Sequence, residues 1–416
     1  MSQKNLKVVV LSAAAVVAGV ACAEIMDRPT GIRLTDRMTL KPYVSVSATF
    51  DSNVEGRKDG AEDVVWKVNP GLGLDYKAET WYVNANAYYQ YNAYSKKVSS
   101  STLSYHGYGE NLTFNWTDSM PGEKGWTLML TEGYQRINQI DDMMVGDSSY
   151  TRDRDELKFA AALQRRFTSQ IHANVNADYY WLDYDNSNNG PYGLYGWSRW
   201  RVGAELGYAA SRWTDILVAG SYQGYHQDNS NPYYRDSYRS YDKDSDGWTL
   251  QAGLGSYATE RITYRVLAGW SRFSYAGGTA EEDGFVYTVS GFWKISDTWN
   301  TMLMATSYYQ PSEREYGSSQ RVDALSWGLA HTMIRGKLSA TLDLSYRRET
   351  HEYSATSGSD YDIDVITGRL GLNYTVNRYL GLFGNIEYRR SFSDGERGDY
   401  YDYDRYRLAL GVRFTY

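Results

Sequence analysis

The feature that most constrains this chain is a two-residue alternation of apolar and polar side chains that changes phase at short turns. From Val64 to Ala78 the even positions Val64, Trp66, Val68, Leu72, Leu74, Tyr76 and Ala78 are apolar. After Glu79-Thr80 the odd positions Trp81, Val83, Ala85, Ala87, Tyr89 and Tyr91 take over, with Asn84, Asn86, Tyr88 and Gln90 between them. Period two marks a strand with one greasy and one polar face, and a phase flip across two residues marks a hairpin. The event recurs at Thr168-Ser169, Ser211-Arg212, Thr259-Glu260, Ser296-Asp297, Arg335-Gly336 and Val376-Asn377. Longer polar segments separate these hairpins, as at 137–155, 184–196, 224–247, 349–361 and 393–404.

Alternating short turns and long loops predict an all-β fold: a transmembrane antiparallel up-and-down β-barrel of about 18 strands, with 16 as the alternative. No apolar run beyond the N-terminus approaches the ~20 residues of a membrane helix. A soluble β-sandwich is the competing fold. The greasy faces here are aromatic near strand ends and aliphatic between, which suits lipid better. Trp81, Trp126 and Trp299 follow short turns, where an interfacial girdle belongs. Pro121 sits in a short turn, and Pro191, Pro232 and Pro311 fall in loops, where a missing N–H does no harm. Pro70 inside a strand, and Trp213 and Tyr379 off phase, are the irregularities.

The two ends agree with a closed barrel. The last eleven residues, YRLALGVRFTY, alternate to the final Tyr416. In lipid that edge needs a partner, expected around Lys41–Phe50, because every backbone group there must be paired. At the N-terminus, Lys4 and Lys7 precede an apolar Val8–Val20 core and an Ala21-Cys22-Ala23 cleavage site. Residues 1–23 therefore read as a cleaved signal peptide, 24–40 as a short periplasmic leader and 41–416 as the barrel. Cys22 also admits a lipoprotein reading, but the residues before it lack the usual Leu. It is the single cysteine, so disulfides do not hold the exported chain together. Beyond the signal, 41 basic residues stand against 50 acidic ones, and bulk charge suggests no nucleic-acid partner.

Several features resemble known families. Gly411-x-x-Phe414-x-Tyr416 resembles the C-terminal signal read by the outer-membrane barrel assembly machinery. The signal peptide, the early Tyr43-Val44-Ser45-Val46 strand followed by Asp51-Ser52-Asn53-Val54, and the Tyr-rich hairpins resemble the porin-2 type of β-barrel porin from Gram-negative outer membranes. The resemblance implies a location in the outer membrane, contact with its lipid, and a pore for small solutes. Neither the solute nor the oligomeric state follows from it.

Catalytic motifs are absent: there is no G-x-S-x-G, C-x-x-C or H-E-x-x-H. His106, His172, His226, His331 and His351 show no ligand spacing, and His172 reads as a wetted lumen residue. Gly71-Leu72-Gly73 lies within strand alternation, so it does not read as a phosphate loop. Asp141 and Asp142 form an ordinary acidic loop pair, and no enzyme activity is expected. Asp242, Asp244 and Asp246 head DKDSDG, which copies the first half of a calcium loop. Its twelfth position is Gly253 rather than Glu, so a solvated loop tip competes with a loop-bound calcium.

The polar faces say more. Asp343, Arg347, Arg369, Glu387, Arg389, Arg407 and Arg413 fall out of phase with the greasy faces of the last four strands. Five arginines and two carboxylates should therefore line one wall of a lumen too wide for side chains alone to fill. Asn69, Asn84, Asn86, Asn174 and Asn176 extend a polar lining elsewhere. The expected role is a passive diffusion channel for small polar or charged solutes. A plugged structural, adhesive or export barrel is the alternative, and the short leader leaves no room for the plug of an energy-coupled transporter.

Overall fold

The computed structural model describes residues 31–54, 60–95, 104–118, 125–140, 151–184, 197–227, 244–256, 261–275, 281–311, 319–352, 361–394 and 402–416. The expected signal peptide, Pro121, Pro191, Pro232, Asp141, Asp142 and Asp242 lie outside them. A short strand β1 (Ile32–Thr35) precedes the barrel strands β2 (Met38–Asp51), β3 (Asp63–Lys77), β4 (Trp81–Tyr94), β5 (Ser104–Thr117), β6 (Gly125–Ile140), β7 (Thr151–Arg166), β8 (Ile171–Tyr184), β9 (Trp197–Ala209) and β10 (Asp215–Gln227). The circuit continues through β11 (Ser245–Ser256), β12 (Ile262–Tyr275), β13 (Glu281–Lys294), β14 (Trp299–Pro311), β15 (Ser319–Met333), β16 (Leu338–Glu352), β17 (Tyr361–Thr375), β18 (Leu380–Asp394) and β19 (Tyr403–Thr415).

Each strand from β2 to β19 is antiparallel to its neighbours, and β19 pairs β2 from Arg407↔Asp51 to Thr415↔Tyr43. The sheet is thus a closed 18-strand barrel, which leaves no open edge in lipid. Three residues join β3 to β4 and four join β7 to β8, whereas seventeen separate β10 from β11. The connections at one end, here the turn end, run from three to seven residues, and those at the other, the loop end, from five to seventeen.

The expected leader is partly strand. Ile32–Thr35 pairs with Met38–Leu40, and the first barrel strand begins three residues before Lys41. Four residues are too few to display a period, so alternation passes β1 by. The Tyr416 N–H reaches the Pro42 carbonyl at 3.0 Å, just above the Ile32↔Leu40 pair. One lane beside β2 is therefore filled by β19 above and β1 below.

The irregularities resolve locally. Trp213 and Tyr379 are turn residues, their N–H groups donating to Ser211 Oγ (3.1 Å) and Asn377 Oδ1 (2.8 Å), so strand phase does not apply to them. Pro70 does lie in β3, on the outward face opposite Val44. The β3–β4 register skips it, running from Val68↔Tyr91 to Gly71↔Tyr88. Pro311 ends β14 rather than lying in a loop.

The outward face carries an aliphatic band between aromatic levels. Trp81, Trp293 and Trp299 mark the turn end, and Tyr89, Tyr108, Trp200, Trp248, Trp270 and Tyr406 mark the loop end, all of them exposed. Among the described residues, outward carboxylates such as Asp246, Asp283, Asp364 and Asp404 otherwise keep to the loop end of their strands. Glu110 and Glu132 depart from this. Their registers, Glu110↔Tyr134 and Leu112↔Glu132, set them diagonally on the greasy face below the Tyr108 level. A carboxyl group on the lipid face costs stability in proportion to depth. We expect Glu110→Leu/Glu132→Leu to stabilise the barrel by about 1–2 kcal/mol per site. Urea unfolding in lipid vesicles measures this, and a less stable double variant would refute it.

Candidate functional site

The inward faces build the lumen, and the charged wall read from the sequence is present. Register places Asp343 opposite Arg369, Arg369 opposite Glu387, Glu387 opposite Arg407 and Arg407 opposite Asp51. Acid and base alternate along this row across five adjacent strands and over the β19–β2 seam. Arg369 Nε donates to Glu387 Oε2 at 2.7 Å. Arg407 spans the next gap, 3.4 Å from Glu387 Oε1 and 2.9 Å from Asp51 Oδ2.

Asp51 is the hub. Arg405 grips it in a fork, Nε to Oδ1 at 2.9 Å and Nη2 to Oδ2 at 2.8 Å. Both residues are buried, at 3% exposure each. Such planar, charge-assisted pairing is the strong kind. Arg347 pairs with Glu349 at 2.8 Å. Arg389 lies over the Tyr403 ring, and exposed Arg413 lies over the Tyr43 ring near the turn end. The seven expected lining residues thus share the inner face, but the arginines are mostly neutralised.

Sequence reasoning missed the partners. Asp51 and Arg405 both face inward by simple alternation, yet their pairing needs the register between strands more than 350 residues apart. It also missed a second cluster, in which Arg199 and Arg201 hold Asp178 at 3.0 and 2.7 Å. Glu205 on β9 meets Arg265 on β12 at 2.5 Å. Those strands are three intervals apart, about 14 Å on a flat sheet. The wall therefore turns a sharp corner through β9–β13. Inward-facing Gly253 and Gly269 permit the bend, since a Cβ on either would overlap the carbonyl oxygen of Val266 or Leu250 on the paired strand. His172 faces inward as expected, but it is buried against Gly207 rather than wetted. Asn84 donates to Asp75 at 2.5 Å, and Asn176 covers Gly203.

Exposure divides the lumen along its axis. Ser345, Arg369, Asn385, Asn111 and Arg413, at mid-depth or towards the turn end, are exposed. Towards the loop end the inward residues are packed: Ile363 and Val322 are at 0%, and Val65, Tyr361 and Tyr403 are all buried. One cause is visible at β14. β13 pairs β14 only from Lys294↔Asn300 to Thr288↔Thr306. Beyond that, Glu281–Tyr287 pairs only with β12 and Ser307–Pro311 only with β15. The tip of β14 laps inside β13. Tyr309 joins Tyr225, Phe273 and Val286 in a buried cluster, and Gln223 Nε2 on β10 reaches the Tyr309 carbonyl at 3.4 Å.

Asp246 and Gly247 belong to β11, so DKDSDG is not one continuous loop. Asp246 accepts from Tyr222 (2.8 Å) and Ser274 (3.4 Å), and Asp244 meets the His226 ring at 2.6 Å. Among the described residues no three metal-ligating side chains converge. Phe414 and Tyr416 are exposed on the outward face, while the Phe383 ring fills the space beside Gly411.

Residues 226–416 match the family described as Putative beta-barrel porin 2. That stretch contains β11 to β19, the half of the barrel that carries most of the charge row. Over that stretch the chain is similar to a family of outer-membrane β-barrel porins. Similar solved structures include the siderophore receptor PirA from Pseudomonas aeruginosa, at 8% identity and TM-score 0.44, covering 92% of this chain and 81% of that one. The outer membrane protein opdK from Pseudomonas aeruginosa has 12% identity and TM-score 0.40, with coverages of 91% and 99%. OccAB4 from Acinetobacter baumannii has 11% identity and TM-score 0.39, with coverages of 92% and 99%. No curated protein matches the chain.

Proposed function

We propose that this barrel is a passive channel for small polar and charged solutes, with a modest preference for anions. The supporting observation is the polar lining left exposed at mid-depth, Asn111, Ser345, Arg369 and Asn385, inside an 18-strand wall. A barrel of that size encloses more space than its side chains fill. Along the β16–β19–β2–β3 wall, nine basic residues (Lys41, Lys67, Lys77, Arg347, Arg369, Arg389, Arg405, Arg407 and Arg413) face six acidic ones (Asp51, Asp63, Asp75, Asp343, Glu349 and Glu387). Carboxylates offset most of the arginines, so the preference is weak rather than exclusive.

The test is single-channel recording of the refolded protein in a planar bilayer under a KCl gradient. We expect stepwise conductance with a reversal potential on the chloride side. Glu387→Gln removes the carboxylate shared by Arg369 and Arg407. A unit charge about 5 Å away in water-like surroundings is worth ~0.8 kcal/mol, so chloride preference should rise about two- to fourfold. An unchanged reversal potential would separate the row from the ion path. The packed loop-end lumen favours one alternative, a structural barrel without an open pore. A folded, inserted protein that never conducts would select it.

A further inference from the structure

We propose that the β14 tip is the element that sets the size of solute this channel passes, and that it has a second seat in the barrel wall. The inference rests on the channel reading above. In the observed seat the tip lies inside the wall. The Tyr309 hydroxyl occupies the space that a Cβ on Gly284 would need, and its ring packs with Val286, Phe273 and Tyr225. Tyr309 is 7% exposed, and its carbonyl accepts from Gln223, four strands along the wall. A strand end placed there takes cross-section from the lumen at its packed end.

The second seat is written in the register. The β13–β14 ladder ends at Thr288↔Thr306, yet both strands continue as strands beyond it. Extending the same register brings Tyr287 opposite Ser307 and Phe285 opposite Tyr309. Tyr309 would then face outward beside Phe285, already an exposed aromatic of the outward face. Ser307 and Tyr309 keep the apolar-face phase of Leu303 and Ala305, so moving between seats needs no flip of side chains. The inward seat is stabilised by the aromatic cluster. The in-plane seat is stabilised by ladder hydrogen bonds, which the facing edges of β13 and β14 do not make with each other now. Gly284 permits the inward seat, because any larger residue there meets Tyr309.

The test uses two variants of the full-length protein. Gly284→Val should expel Tyr309 and raise single-channel conductance about twofold or more, with larger neutral solutes admitted in liposome swelling. Phe285→Cys/Tyr309→Cys should form a disulfide under mild oxidant, seen as a gel shift reversed by dithiothreitol. The oxidised form should conduct more than the reduced form. Unchanged conductance in Gly284→Val, together with no cross-link between 285 and 309, would overturn the proposal. If neither wild type nor variant conducts, the channel reading fails by itself, and cross-link yield still decides whether the second seat exists.

Discussion

Replacing Asp51 with Asn is expected to lower the unfolding free energy of the barrel by about 3–5 kcal/mol, the usual result of stranding a buried charge by removing its partner. The amide keeps the shape of Asp51 but not its charge. Arg407 retains Glu387, and Arg405 loses its fork at 3% exposure. The Nε and Nη2 donors on one edge of the Arg405 guanidinium rely on the two Asp51 oxygens for their charged pairing, and water cannot enter freely to replace them. The cost falls on the β19–β2 seam, so loss of closure should accompany it. The measurement is urea unfolding in detergent, supported by the temperature at which the compact band on SDS gels gives way to the unfolded one. Asp51→Leu/Arg405→Met should recover most of the loss, because an apolar pair removes both charges together. An Asn variant within about 1 kcal/mol of wild type would show that the fork contributes little.

Gly253→Ala is expected to be worse than its single methyl suggests. The added Cβ meets the Val266 carbonyl of the paired strand, and backbone has no rotamer with which to retreat. Overpacking commonly costs 1–3 kcal/mol, and a rigid obstacle places this case at about 3 kcal/mol or more. The corner must flatten to admit the methyl, which pulls apart Glu205–Arg265 and the 3.4 Å contact of Gln251 with Thr288. Folded yield should drop sharply. Gly291→Ala is the control. It lies on the outward face of β13 with nothing within 4 Å of the new methyl, and it should fold as wild type does. Equal behaviour of the two variants would mean that the corner yields easily.

The fold was legible because its information is local. Phase flips at Glu79-Thr80 or Thr168-Ser169 are visible in a dozen residues, and with the terminal strands they lead to about 18 strands, with 16 as the alternative, where the barrel has 18. The inward set was legible for the same reason: alternation alone sends Arg369, Glu387 and Arg407 to one side. Alternation does not say which arginine meets which carboxylate, since that depends on register between distant strands. It also cannot tell what covers a greasy face. Tyr309 has the same phase as Leu303 and Ala305, yet the inner side of β13 covers it rather than lipid. The sharp corner was hidden too, because Gly253 and Gly269 read as ordinary small residues until the wall is seen to bend.

The lane shared by β19 and β1 has a consequence for how the circle is closed. A closing strand can slip by two residues without turning its greasy face inward, so the pleat alone does not prevent that error. Here the far end of the lane is already taken. β1 holds Met38–Leu40, and the arriving strand can descend along β2 only as far as Pro42, where Tyr416 stops. The first four-residue strand is thus an end-stop. It blocks a downward slip, leaves nine register pairs to be made from Tyr43 to Asp51, and brings Arg407 level with Asp51. A segment that spans nothing would then set the alignment of the strand that completes the wall.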